Sequence, residues 1–426
     1  MGDYCKMWES LGLDLDAHDK LLSVIPPLYQ EVYLDQQKRP KGMGYFDYVV
    51  MEIHGLRIQE LQEHKAKGGK VVGTFCLYVP EELVLAAGGV CIGLCAGADV
   101  GTADAESVLP KNICPLIKSF MGFKLAKICP YFESCDLIVG ETTCDGKKKA
   151  FEVLADYANV HVMEVPQTKS SKARELWRSE VEKFKAEIEK LTGNEITETN
   201  LKAAIEKVNA RRRAIQRLAR LRAADPSPIS GKDALLIEQI SFYDDPVRFT
   251  AKVNELCDEL EERIGAGFGL DRGPRVVVSG CPMAIPNWKI HHVLESSGAV
   301  VVGEEACIGE RSYRDLVNAS ASDMEGLLDA VADRYLKIDC ACFTPNAERL
   351  DHLLDLVEEH KAHGVVHYSL QFCDPYTVEC YSIEKSLKEA GIPMLKIETD
   401  YGQQDVGQLQ TRVEAFLERL GDRAGV

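Results

Sequence analysis

The sequence predicts an α/β protein built from two parallel-sheet domains, with a helical segment ahead of the first and a helical insert between them. Three observations predict it. Short apolar runs bounded by glycine alternate with stretches of helical periodicity from Lys70 to about Pro166, and the same alternation resumes at Arg275. Alternating strand and helix signals specify parallel sheets with helices on both faces. Between the two blocks lies a long, charged, helical stretch. A length of 426 residues with 46% hydrophobic and 27% charged residues also suffices for two or three domains with full cores and matches ordinary globular composition.

Residues 1–69 read as helices with a loop around Pro40 to Gly44, covering the sheet behind them; the helical pattern stops at Gly68-Gly69. Residues 70–169 form the first α/β domain, with KVVGTFC, VCIGLC, CDLIVGETTC and NVHVMEVP as strands and PEELVLAAGG, CPLIKSFMGFKLA and KKAFEVLADYA as helices. Residues 170–273 are the insert and linker. Its clearest helices are ELWRSEVEKFKAEIEKL and LKAAIEKVNARRRAIQRLARLRAA, followed by a break at DPSPISG, and they are expected to pack across both domains. The run Arg211-Arg212-Arg213 suggests either an anion site or, as the preferred reading, a solvated helix face. Residues 274–426 form the second α/β domain, where RVVVSGC, AVVVGEEAC, VVHYSLQFC and PMLKIETD alternate with helices.

The totals exclude several functions. A formal charge of −17 argues against a nucleic-acid partner, which needs a basic face. The longest uncharged run, Leu83 to Ala98, is too short for a membrane span. The start, MGDYCKMWES, carries no secretion signal, and Lys6 stands where myristoylation needs Ser or Thr, so the expected location is cytoplasmic. In that compartment the fifteen cysteines are buried, reactive or metal-ligating thiols rather than disulfides. No GxxxxGK[ST] occurs, and the glycines of GAGFGLDRGP follow a helix, so nucleotide chemistry belongs on another protein. The histidines are scattered without ligand spacing, and no serine or histidine catalytic arrangement is present.

The cysteine positions carry the functional signal. Cys76, Cys144, Cys281, Cys307 and Cys373 each fall at the end of a predicted strand, where open α/β sheets collect ligands. Cys114 precedes Pro115 at a helix start, where free N–H groups favour a thiolate. The expectation is two domains facing each other and holding an inorganic sulfur cluster. The ligand set would be Cys76, Cys114 and Cys144 from the first, with Cys307, one of Cys340 or Cys342, and Cys373 from the second. Six thiolates suit two cubanes with three protein ligands each. Cys5, Cys91, Cys135 and Cys257 read as packing cysteines, Cys95 and Cys129 lean the same way, and Cys281 has the position without a further polar signal. Cys340-Ala-Cys342 lacks the second pair that a zinc site requires. Lys147, Lys148 and Lys149 open a helix against the dipole preference, which fits either a nearby anionic cluster or a solvated run.

GTFCLYVPEELVLAAG, NICPLIKSFMGF, CDLIVGETTCDGKKK and LKIETDYGQQDVGQLQTRVEAF together resemble the family of 2-hydroxyacyl-CoA dehydratases and benzoyl-CoA reductases, over nearly the whole chain. Within that family, CPLIKS, TTCDG and QFC resemble the segments supplying cluster cysteines, here Cys114, Cys144 and Cys373. The further cysteines in GTFC, EEAC and DCACFTPN resemble the double-cubane cluster protein branch, in which one chain holds two 4Fe-4S units joined by a bridging sulfide (8Fe-9S). The resemblance implies two flavodoxin-like (Rossmann-like) domains, a homodimer, and a separate ATP-hydrolysing iron-sulfur reductase, with ATP bound only there. It also implies reduction of small unsaturated or nitrogen-containing molecules. The alternatives are a subunit of a 2-hydroxyacyl-CoA dehydratase or benzoyl-CoA reductase-type enzyme with a single 4Fe-4S cluster, and a non-enzymatic thiol or zinc protein.

Overall fold

A computed structural model describes residues 4–424. The N-terminal segment comprises α1 (Cys5–Ser10), α2 (Leu15–Tyr29), α3 (Met43–Met51) and α4 (Leu56–Ala66). The first lobe follows as β1 (Val71–Thr74), α5 (Glu81–Ala86), β2 (Val90–Gly93), α6 (Thr102–Glu106), α7 (Pro115–Leu125), α8 (Pro130–Ser134), β3 (Leu137–Glu141), α9 (Asp145–Leu154) and β4 (Val160–Met163). The insert is α10 (Ser171–Thr192), α11 (Glu198–Leu221), α12 (Gly231–Ile240) and α13 (Pro246–Gly265). The second lobe is β5 (Arg275–Gly280), α14 (Lys289–Ser296), β6 (Val300–Glu305), α15 (Glu310–Tyr313), α16 (Met324–Leu336), α17 (Ala347–Glu359), β7 (Gly364–Leu370), α18 (Asp374–Glu389), β8 (Met394–Thr399) and α19 (Val406–Ala424).

Each lobe holds a four-stranded sheet with every pairing parallel, ordered β2-β1-β3-β4 in the first and β6-β5-β7-β8 in the second. The repeated order is the flavodoxin-like one, so each sheet reverses winding beside its first strand, and a crevice opens there at the carboxyl ends. Covered on both faces, β1, β3, β5, β6 and β7 are buried throughout, which is why they read as unbroken apolar runs rather than alternating ones.

The insert helices start where side chains can accept their free N–H groups. Ser170, Thr197, Ser230 and Asp245 cap α10 to α13, and Gly193, at φ 73°, ends α10. The Arg211-Arg212 pair departs from the solvated reading. Arg211 is bonded to Glu81 and Arg212 to Glu82 (2.8 Å), on the first lobe's α5; only Arg213 is exposed, facing Glu206. At the C-terminal end of α11, Arg222 meets Glu304 of β6 at 2.6 Å, both side chains fully buried. One helix is thus pinned to both lobes.

The N-terminal helices also do more than cover the first sheet. Tyr33 packs edge-on against Trp288 of the second lobe, and Arg39 pairs with Asp233 of the insert. The main core accordingly runs through both sheets, with Ile92 and Ile138 on one side and Val276 and Val366 on the other. The lobes touch directly where the Gly97 N–H donates to the Ile285 carbonyl (3.0 Å). A Cβ at position 97 would collide with the Ala284 carbonyl, so only glycine permits this approach.

Candidate functional site

The carboxyl ends of both sheets open onto one cavity of about 1090 Å³, just above the usual range for small-molecule and cofactor sites. All seven cysteines singled out from the sequence line it: Cys76, Cys114 and Cys144 from the first lobe, and Cys307, Cys340, Cys342 and Cys373 from the second. Cys95 lines it as well, a residue whose sequence context points to packing. The predicted strand VCIGLC ends at Gly93, so Cys95 lies beyond the sheet, and its thiol donates to the Phe75 carbonyl (2.6 Å). Cys281 closes β5 and does not line the cavity; it is 1% exposed, with its sulfur accepting the Leu370 N–H at 3.4 Å and in hydrogen-bond contact with Cys373. Cys129 packs in the core at the start of α8.

Local structure sorts the lining thiols into two kinds. Cys114, Cys144 and Cys373 are the N-cap residues of α7, α9 and α18, and Cys144 Sγ accepts the Lys147 N–H at 3.5 Å. Helix starts offer unpaired N–H groups and positive dipole ends, both favourable to a sulfur anion. The third of these is hidden in the sequence, where the helical pattern becomes legible only from Ser382 while α18 begins at Asp374. Cys76, Cys307, Cys340 and Cys342 lie instead on loops. The Cys340 loop is fixed by Asp339, which pairs with Lys169 (2.8 Å), Arg314 (2.8 Å) and His352 (2.6 Å).

Across the seam the thiols act on one another. Cys76 supplies a hydrogen bond that, against the cost of burial, brings the pKa of Cys307 down to about 6, with Arg311 and Tyr376 assisting. Cys342 likewise lowers Cys340. Cys114 and Cys373 are neighbours from opposite lobes, and both are pushed up, Cys114 by Cys373 and then by burial. Cys144 is raised by burial. Desolvation thus keeps most of these thiols neutral unless a positive partner takes up their charge.

Cations stand at and behind the walls, each paired with a carboxylate. Lys147 reaches into the cavity and pairs with Glu141 (3.1 Å), whose other oxygen accepts the Cys76 N–H (3.1 Å). Burial pulls this ammonium down, yet Glu141, Cys76, Cys95 and Cys144 outweigh it and hold it charged. Lys148 and Lys149 are surface residues paired with Asp145 and Glu152, so the lysine run divides between both readings. Behind Cys307, Arg311 and Arg349 share Glu305 (3.0 and 2.9 Å), and Arg311 donates to the Tyr376 hydroxyl. Phe372, beside Cys373, holds φ 57° with its ring half exposed at the cavity wall, a backbone conformation unusual for a bulky residue.

Among the described residues no three Cys, His, Asp or Glu side chains converge on a single-ion site. A cubane is a larger, anionic body, and the donor set fits it: soft sulfur donors from two lobes, helix starts and a buried ammonium. No helix among the described residues is long and apolar enough to cross a membrane.

Residues 76–420 match the family described as 2-hydroxyglutaryl-CoA dehydratase, D-component. The chain is 41% identical to a putative dehydratase subunit, YjiM, of Escherichia coli, over 86% of this chain and 94% of that protein. It is 27% identical to the (R)-phenyllactyl-CoA dehydratase beta subunit of Clostridium sporogenes, over 83% and 92%. It is 22% identical to one of the subunits of the benzoyl-CoA reductase of Thauera aromatica, over 76% and 84%. With four-fifths of its length under one family description, and the cysteines on which the resemblance rests gathered in one cavity, the chain belongs to the 2-hydroxyglutaryl-CoA dehydratase D-component family.

Proposed function

We propose that this protein is an iron-sulfur oxidoreductase that reduces a small unsaturated or nitrogen-containing molecule with electrons from a separate ATP-hydrolysing iron-sulfur reductase, and that it works as a homodimer. The observation that supports the reading is that thiols of both lobes line one cavity and meet across it in two places, Cys114 with Cys373 and Cys76 with Cys307. Cys114, Cys144 and Cys373 would hold one 4Fe-4S unit; Cys76, Cys307 and either Cys340 or Cys342 would hold the other, joined to it by sulfide. Bound there, the double cluster supplies low-potential electrons to a substrate bond.

The chain's own residues bind and protect that group. Helix starts at Cys114, Cys144 and Cys373 stabilise thiolate charge, Glu141 fixes the Cys76 main chain, and Arg311 orients Tyr376 toward Cys307. Phe75, Leu77, Ile117 and Phe242 make apolar wall that limits water. The lining also bears on substrate charge. Among the described residues of the lining the one cation, Lys147, is paired with Glu141, while the acidic groups are Asp374, Asp145, which is paired with Lys148, and Glu379, which is paired with Arg349. A polyanionic CoA thioester finds no cationic partner on this lining, which favours a small uncharged substrate.

A second reading is a single-cubane dehydratase subunit, favoured by the names of the relatives and by the self-sufficiency of the three N-cap cysteines. Iron and acid-labile sulfide on anaerobically purified protein separate the two: about eight irons per chain support the first, about four the second, and none of either removes both.

A further inference from the structure

A second hollow, of about 50 Å³, adjoins Cys76 and shares Thr74, Leu77 and Phe242 with the large cavity. It is enclosed by Cys91 of β2, Glu81 of α5, Arg211 and Arg212 of α11, Ser241 after α12, Ser312 of α15, and Arg334 and Tyr335 of α16. Three guanidinium groups therefore face one small space.

Two of them have carboxylate partners. Arg211 is held by both oxygens of Glu81, and Arg212 by Glu82, which also accepts the Tyr335 hydroxyl at 2.7 Å. Arg334 has main-chain oxygens where its neighbours have carboxylates: Nε donates to Asp315 O (3.1 Å) and Nη2 to Ser312 O (2.6 Å), and the group lies 4.6 Å from the Tyr335 ring centre. It is 3% exposed. A guanidinium has five N–H donors and no acceptor, so two carbonyls leave donors over and its charge unmatched. Burial, and then the neighbouring Arg212, bring Arg334 down to about 10 against the pull of Tyr335, Glu82 and Asp315. An uncompensated buried charge is costly. The hollow has room for a few water-sized groups, hence for one small anion with its residual hydration, and excludes larger oxyanions.

We propose that this hollow is a binding site for a small monovalent inorganic anion, such as a halide or hydrosulfide, held by the donors of Arg334 that its two carbonyl partners leave over. Cys76 lines both this hollow and the large cavity, so the salts are compared on one preparation of fixed iron content.

Thermal unfolding of the full chain at fixed ionic strength, in sodium bromide, chloride or hydrosulfide against sodium gluconate and sodium sulfate, tests it. The expected result is a midpoint about 3 °C higher in the small anions than in gluconate or sulfate, with an anomalous bromide peak beside Arg334 in soaked crystals. Arg334→Met should remove the difference between salts. Should that variant fail to fold, Arg334→Lys and the bromide peak in the unaltered protein decide instead. Equal midpoints in bromide and gluconate, an undiminished bromide effect in the variant, or a hollow holding only water would each overturn the proposal.

Discussion

The Tyr376 hydroxyl stands 4.0 Å from the Cys307 sulfur, with Arg311 donating to the same oxygen from behind. A guanidinium only donates, so the phenol must accept there, and its own hydrogen is left for the sulfur side. On the proposed reading, Tyr376→Phe removes one hydrogen bond to a cluster sulfur. It should lower the reduction potential by roughly 40 mV, the equivalent of one net hydrogen bond of about 1 kcal/mol for a single electron. Iron content should not change. A redox titration followed by electron paramagnetic resonance reads this directly, and an unshifted potential would show that Tyr376 only packs.

On the proposed reading of two cubanes with separate ligand sets, replacing the thiols should remove metal in halves. Cys114→Ser and Cys307→Ser are each expected to leave about four irons per chain rather than about eight, and the double variant close to none. Iron and sulfide assays after anaerobic purification give the count. If both single variants lost all iron, the sets would be a single unit.

Arg222 and Glu304 are a fully buried pair at 2.6 Å, with Glu238 at 3.9 Å and His291 bonded to Glu304 at 2.9 Å. Removing the cation strands a carboxylate in the interior. Arg222→Met should cost about 3–5 kcal/mol in urea unfolding. A loss below about 1 kcal/mol, the scale of an exposed pair, would mean that water reaches this site.

His18 and His54 share a buried hydrogen bond of 3.0 Å, with Trp8 edge-on to His18. Burial lowers them to about 4 and about 3 from an ordinary 6.5. The unfolded chain therefore takes up protons first as pH falls, so their contribution to stability is complete above about 6.5 and drains away as pH drops toward the folded values. The unfolding midpoint should decline from pH 7 to pH 4, and His54→Gln should flatten the decline. A flat wild-type profile would contradict it.

Much of this architecture is written locally. A parallel strand buried on both faces reads as an apolar run, and a cysteine just past its end falls in the crevice, so the positions of Cys76, Cys144, Cys307 and Cys373 can be read without knowing their partners. What escapes is non-local or off by a turn. Cys95 resembles a packing residue because β2 stops two residues earlier than its apolar pattern. Cys281 shares the strand-end position but does not line the cavity, and no neighbouring residue type signals that. Arg211 and Arg212 resemble any solvated arginines until α5, far away in sequence, brings Glu81 and Glu82 to them. Tyr376 and Arg311 likewise meet only in the folded chain.

The double anchorage of α11 has a mechanical corollary. Its fastenings at Arg211-Arg212 and at Arg222 lie ten residues apart, a span of roughly 15 Å along a helix. The distance between the two sulfur-bearing walls is therefore gauged by a rod rather than by whatever bridges them. Shortening or bending that rod would detune the chamber without touching a single thiol.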